Sequence, residues 1–419
     1  MNLWRLLRAC CVALWFGGGA LAQTTDAAPP QVWLMTVEPG ALYWQRFGHN
    51  AIVLREPQLQ RSTSYNFGYF DFAQQDFLLR FLRGRMLYQA VALDAERDIE
   101  SYLADGRRVW MQQLRVSAAG AQALSSHLRQ HVLPENRDYR YDYYTVNCST
   151  KVRDALDLAL DGALKRATEH RSHGMTYRRF TRAYAQGLAW LYLGTDIALG
   201  QAVDRPLSIW QEAFIPAELQ RQLQDLKLAD GDAALLSEQQ LPMGASAKQI
   251  LPQAADLRPA FAAAGILLAG LLIGLARLAE HGGVARLPLA VIGGSLSFSL
   301  GAAGVLLVGL WLATDHAAAW RNENLFLLSP FWWLSLPAWL LLTRRDQVSG
   351  WVARAAQLGG WLALAGVVCG ALAKVFKSFD QSNVEWLLLL GPMVLALRHV
   401  LARRCMPSGP LAASSAQTS

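Results

Sequence analysis

The sequence predicts an α+β exported domain with a small antiparallel sheet, followed by an all-α transmembrane domain. Three observations carry this. Hydrophobic residues make up 53% of the 419 residues, but the excess is confined to the first 22 residues and to those from about 260 onward. The stretch between them has an ordinary globular composition, in which β-rich runs alternate with helical periodicity. Beyond it lie five apolar stretches long enough to cross a bilayer.

Arg5 and Arg8 precede a short apolar run from Ala9 to Phe16, and Gly17-Gly18-Gly19 and Ala20-Leu21-Ala22 follow. This is the order of a secretory signal peptide over residues 1–22. The alternative is an uncleaved anchor helix, for which the apolar run is short. Either way, residues from 30 onward are exported.

Residues 31–37 read as a strand stopped by Pro39-Gly40, and residues 41–47 lead to Gly48-His49-Asn50. A short strand at 51–54 then pairs with an antiparallel one at 64–70, across a polar loop. A short helix at 74–84, a strand at 85–93, a helix at 94–104, a strand at 108–116 and a helix at 118–133 follow, the last stopped by Pro134. The aromatic stretch 139–146 delivers Asn147-Cys148 to a helix marked by Val152, Ala155, Leu156 and Ala159 and ended by Gly162. A helix at 176–191 and a docked loop with a short helix at 203–216 complete the exported domain, 30–225. Residues 226–258, rich in Ala, Gln and Pro, read as a linker, 259–404 as the membrane domain and 405–419 as a disordered tail.

The spans fall near 261–279, 287–313, 325–342, 358–376 and 384–402. With residue 260 outside, Arg277, Arg286, Arg344, Arg345, Arg354, Arg403 and Arg404 fall inside, which puts the C-terminus in the cytoplasm. Much of the net charge of +7 sits in these flanks. There is no basic tract with interleaved aromatics, no phosphate-cradling glycine loop and no zinc-ligand spacing, so nucleic acid, a metal and a cofactor are not expected. Asn322-Glu323-Asn324, between the second and third spans, reads as a polar loop or as the entrance for a lipid headgroup.

Of the five cysteines, Cys10 and Cys11 lie in the export segment and Cys369 and Cys405 in or beside spans. Cys148 is therefore alone in the exported domain, where cysteines normally pair as disulfides. A cysteine at a helix start is predisposed to ionise, and the thiolate is the nucleophile. His49, at the mouth of a strand, is the candidate base, and Asn66 on the neighbouring strand its orienting partner, with Asp71 as the rival. The N–H groups of Cys148 and Ser149 are candidates for holding an oxyanion. Asn147, Ser149, Tyr144, Arg85 and Arg153 are candidate substrate or supporting contacts. The opposing reading is a cysteine that packs as a small hydrophobe and a histidine that only serves a turn.

The blocks Arg46 to Leu54, Tyr65 to Phe72, Gly84 to Tyr88 and Tyr141 to Thr150 resemble the periplasmic domain of Lnb-type lipoprotein N-acyltransferases, and the multi-span C-terminus is similar in kind. The order of histidine then cysteine also resembles the circularly permuted branch of the NlpC-type, papain-like fold. The resemblance implies that Cys148 carries an acyl group and that His49 is its base. It further implies a bacterial inner-membrane protein with a periplasmic catalytic domain, a phospholipid acyl donor and a lipoprotein acceptor. Two alternatives stand beside this: a cell-wall amidase or peptidase on the same dyad, and a non-catalytic membrane-tethered scaffold or sensor. An open polar groove around Cys148 would favour peptidoglycan, and an apolar slot continuous with the spans would favour acyl chains.

Overall fold

The computed structural model describes residues 28–242, 255–281 and 283–406. The signal-peptide expectation for 1–22 lies outside the described residues, as does the tail beyond Met406. The exported domain is built on one antiparallel sheet of seven strands in the order β6-β4-β3-β2-β1-β5-β7. The strands are β1 Gln31–Val37, β2 His49–Glu56, β3 Arg61–Tyr69, β4 Leu87–Asp94, β5 Val109–Leu114, β6 Asp138–Arg140 and β7 Leu235–Gln240.

The sheet is larger than the small one the sequence suggests, because both edge strands lack an alternating apolar pattern. In β6 all three residues, Asp-Tyr-Arg, are at least partly exposed. In β7 the run Leu-Leu-Ser-Glu-Gln-Gln joins the sheet through its pairing with β5 and buries no side chain fully. The reading of 226–258 as a linker is thereby corrected: Leu235–Gln240 is an edge strand, and residues 243–254 lie outside the described residues.

The central strands read as continuous apolar runs because both faces of the sheet are covered. Val32, Leu34, Ile52, Leu54, Tyr65 and Phe67 face one core. Trp33, Met35, Val37, Ala51 and Val53 face the other. Nine helices belong to this part of the described chain: α1 Phe77–Leu82, α2 Ala95–Ala104, α3 Ala118–His131, α4 Cys148–Ala159, α5 Ala163–Thr168, α6 Tyr177–Ala185, α7 Ala189–Ala198, α8 Ile209–Glu212 and α9 Pro216–Asp225. α3, α4 and α9 cover the first face through Leu124, Leu156 and Leu219, and α2 covers the second through Ala95 and Ile99. The single helix expected over 176–191 is two, α6 and α7, separated by Gln186-Gly187-Leu188 with Gly187 at φ +87°.

Five apolar segments are long enough to cross a membrane. Four contain long helices: α10 Arg258–His281, α11 Arg286–Ala313, α13 Gly350–Ala373 and α14 Val384–Arg404. The third, Glu323–Leu342, is irregular: two 3₁₀ segments precede the short α12, Leu336–Leu342. Pro330 and Pro337 explain this, since each removes a backbone donor. Such backbone is tolerated at membrane depth where protein buries it. Here Gly304, Gly359 and Gly366 let neighbouring helices press against the carbonyls of Leu328, Phe331 and Phe326. Cys405, the first residue of the expected tail, is buried and bridges Val348.

The sheet domain is docked on the membrane domain at two places. On one side, Gly200 N–H donates to Ala318 O at 2.8 Å, and a β-carbon at Gly200 would lie 2.0 Å from Trp320 O. Nearby, the Asn322 amide donates to Ile197 O at 2.9 Å and Ala198 O at 3.0 Å, and Asn324 donates to Ile197 O at 3.0 Å. The Asn322-Glu323-Asn324 stretch is thus buried docking surface, not an exposed loop. Trp386 Nε1–H and Arg182 both donate to the buried carboxylate of Asp196 in α7, and Arg182 also reaches Glu385. On the other side, Asp315 N–H donates to Arg83 O at 2.8 Å, and its carboxylate accepts from Arg85 at 2.8 Å and Arg140 at 3.0 Å.

Candidate active site

His49 is the first residue of β2 and Cys148 the first of α4. α4 packs across β2 and β3, which brings the helix start to the strand end. The helix begins there because Asn147 caps it. Its Oδ1 accepts from Thr150 N–H at 2.9 Å, and Thr150 Oγ1 accepts from Asn147 N–H at 2.8 Å. Asn147 Nδ2 donates to Tyr143 O and Phe214 O, so the cap also ties the helix start to two loops. Ser149, fully buried, donates to Asn50 Oδ1 at 2.8 Å and Ala213 O at 2.6 Å, pinning α4 to β2. In β3 a register irregularity between Phe67 and Tyr69 leaves Gly68 at φ +91°, with its missing β-carbon position 3.6 Å from Cys148 Cβ.

The Cys148 thiol lies beside His49, close enough for the two groups to influence each other's ionisation. His49 Nε2 is 2.8 Å from Asn66 Oδ1. Which atom donates follows from what lies behind. Asn66 Nδ2 donates to Asp98 Oδ2 and to Ser64 Oγ, both at 2.8 Å, and Ser64 Oγ–H donates to Asp98 Oδ2 at 2.6 Å. With its NH₂ group committed to the carboxylate, Asn66 presents Oδ1 to the ring, so Nε2 carries a proton and Nδ1 is the nitrogen left for the thiol. Burial favours the neutral forms of both members. Against it, the His49 charge and hydrogen bond hold the Cys148 thiol below its ordinary range, helped by N–H groups of Asn50 and Ser149. Reciprocally, burial is overcome by the thiolate and by Asn66, and His49 is held above its ordinary value. Each member of the pair thus favours the charged form of the other.

Two further groups frame the pair. The Tyr102 ring of α2 lies 5.9 Å from the His49 ring, and the buried Arg107 guanidinium sits 5.1 Å over Tyr102 and opposes the charge on His49. Asp98, Ser64, Tyr102 and Arg107 are not marked by any local motif. Asp98 belongs to the ordinary polar pattern of α2 and acquires its position only from the packing of α2 on β3.

The structure brings Cys148, His49 and Asn66 together. It uses Asn147 and Ser149 as fully committed structural bonds beside them. Tyr144 Oη is 2.9 Å from Thr181 Oγ1, and its ring packs on Tyr177 and Phe214. Arg153 lies 3.9 Å over Trp210 and donates to Trp210 O and Asp154. Arg85 binds Asp315 of the membrane domain. Asp71 accepts from Ala73 N–H in a turn and takes no part in the relay.

No curated protein and no solved structure matches the chain. Two family models do: the Lnb N-terminal periplasmic domain over residues 20–183 and the Lnb transmembrane domain over residues 257–372. The first contains His49, Asn66, Asp98 and Cys148, and the second begins at the first membrane span. Together they cover more than half of the sequence in the order periplasmic domain then spans, and the chain is a multi-pass membrane protein of the Lnb family.

Proposed function

We propose that this protein is an inner-membrane acyltransferase in which Cys148 carries the acyl group between a lipid ester and a lipoprotein amine. The observation that carries the reading is Cys148 at the start of α4 beside His49, with His49 held by Asn66 and Asn66 by Asp98, in a periplasmic domain docked on membrane spans. The histidine-then-cysteine order is that of the permuted papain-like branch, which supports the same use of the two residues.

In the first half-reaction Sγ attacks the ester carbonyl. A C–S bond forms, the ester C–O bond breaks, and His49 Nδ1–H gives its proton to the leaving alkoxide. In the second, the lipoprotein's N-terminal amine attacks the thioester. A C–N bond forms, the C–S bond breaks, and His49 takes the amine proton as the thiolate returns. Asn66 keeps Nε2 protonated throughout, so Nδ1 is the nitrogen that shuttles. The N–H groups at the start of α4 are suited to the oxyanion of each tetrahedral intermediate.

Tyr141 lies beside Gly68 next to Cys148, and Trp44, Phe72 and Leu78 of the same domain are exposed, which supports acyl chains over peptidoglycan as substrate. The test is lipoprotein mass analysis in a deletion strain carrying either the wild-type gene or a Cys148→Ala copy. The reading expects N-acylated lipoproteins only with the wild type; equal acylation with both copies contradicts it.

A further inference from the structure

The acyl-transfer reading needs a route from the bilayer to a sulfur in the periplasmic domain. A row of aromatic rings leads away from Cys148. Tyr141 packs beside Gly68, next to the cysteine. It stacks on Tyr88 at 4.1 Å, and Tyr88 stacks on Phe70 at 5.1 Å. Phe70 continues to Phe77 at 6.2 Å, and Phe77 to Phe81 at 6.4 Å. Phe81 ends the row against the membrane domain, where its ring is 6.4 Å from that of His316 and its carbonyl is 2.9 Å from His316 Nε2. His316 stands three residues after the end of α11, so α1 lies beside the end of a membrane span. Beside the row, a cleft of about 190 Å³ runs between Met86, Tyr141 and Tyr143 on the sheet side and His316 on the membrane side.

α1, which carries the membrane end of the row, is largely apolar outward, whereas Asp71, Gln75 and Asp76 just before it are exposed. α1 reads Phe-Leu-Leu-Arg-Phe-Leu, and Leu78 is 66% and Leu82 56% exposed. Phe72, just before it, is 58% exposed and lies 6.2 Å from Trp44 of the facing loop. Trp190 of α7, 61% exposed, closes the same rim through Tyr43 at 5.6 Å. A water-facing surface does not favour so many adjoining large apolar groups. They adjoin the end of α11 through Phe81 and His316, and α7 docks on the membrane domain through Ile197 and Ala198. Tryptophan and tyrosine beside aliphatic side chains suit the boundary between lipid headgroups and acyl chains.

Building on the acyl-transfer reading, we propose that residues 70–82, with Trp44 and Trp190 opposite, dip into the acyl-chain region of the outer leaflet. The row from Phe81 to Tyr141 is then the path by which a lipid acyl chain reaches Cys148.

The test uses the full chain carrying Cys148→Ala, reconstituted in vesicles of phosphatidylethanolamine and phosphatidylglycerol. Its result therefore does not depend on whether acyl transfer occurs. A benzophenone amino acid replaces Leu78, Phe70 or Leu59 in turn. Leu59 is 65% exposed but lies between β2 and β3, at the end of that hairpin away from His49. After irradiation, mass spectrometry should find phospholipid adducts on acyl-chain carbons at positions 78 and 70, at least tenfold above position 59. Adducts at 78 no greater than at 59, or attached only to headgroups, overturn the membrane contact. Adducts at 78 with none at 70 overturn the path.

Discussion

In the proposed mechanism Asn66 decides the chemistry of the site, because its bond to Nε2 leaves Nδ1 of His49 to act. Its own orientation is set by Asp98 and Ser64. Asn66→Ala removes the acceptor for Nε2–H and frees the ring to take the other tautomer. Turnover should fall about 10- to 100-fold, as for the loss of an orienting partner. Asp98→Ala should give a smaller loss of the same kind, with steady-state kinetics the check on both. The pH dependence follows from the pair. Cys148 is held below the ordinary thiol range, so its alkylation should persist as pH falls below the usual thiol value of about 8.5. His49→Ala removes the first charge and hydrogen bond that oppose burial, so the alkylation midpoint should rise instead. Rates of iodoacetamide labelling across pH read both. Cys148, His49 and Asn66 were legible because a lone exported cysteine, a glycine–histidine strand start and a polar residue on the next strand are local signals. Asp98 was not, since its role exists only once α2 lies on β3. Arg85 and Arg153 mislead for the opposite reason: closeness to functional motifs in sequence put charged side chains near the site on paper, while in space each is committed elsewhere.

Among the elements, α6 and α7 reach across to the membrane domain, through Arg182 to Glu385 and through Asp196 from Trp386. Arg178 of α6 is fully buried and donates to Asp204 at 2.8 Å, to Asp196 at 3.2 Å and to the carbonyls of Leu199 and Gly200. Arg178→Ala leaves two buried carboxylates short of a partner and should cost about 3–5 kcal/mol, read as lowered thermal stability in detergent. Gly200→Val places a β-carbon where Trp320 O stands, so the junction must shift. Proteolysis between the domains should become faster while the sheet stays folded. The central strands were readable from their apolar runs, and the helix from Cys148 from its periodicity and the glycine that ends it. The third span was readable in length but not in shape, because its irregular backbone depends on the helices packed around it, which close on its carbonyls at Gly304, Gly359 and Gly366. β7 was hidden because an edge strand held by backbone pairing needs no apolar alternation.

For the whole molecule, the loop charges favour the orientation we propose, with the C-terminus in the cytoplasm. A green fluorescent protein fused after the last span should fluoresce, and alkaline phosphatase fused there should be inactive; the reverse pattern contradicts the topology. The central claim is that the thiol of Cys148 becomes an ester of a lipid acyl chain. It is tested most directly by incubating the purified full chain with phospholipid vesicles in the absence of any amine acceptor and weighing the intact protein. The account predicts a mass gain of one acyl chain, mapped to the peptide containing Cys148, released by neutral hydroxylamine and absent from Cys148→Ser under that treatment. No gain, or a hydroxylamine-labile gain that Cys148→Ser retains, would contradict it.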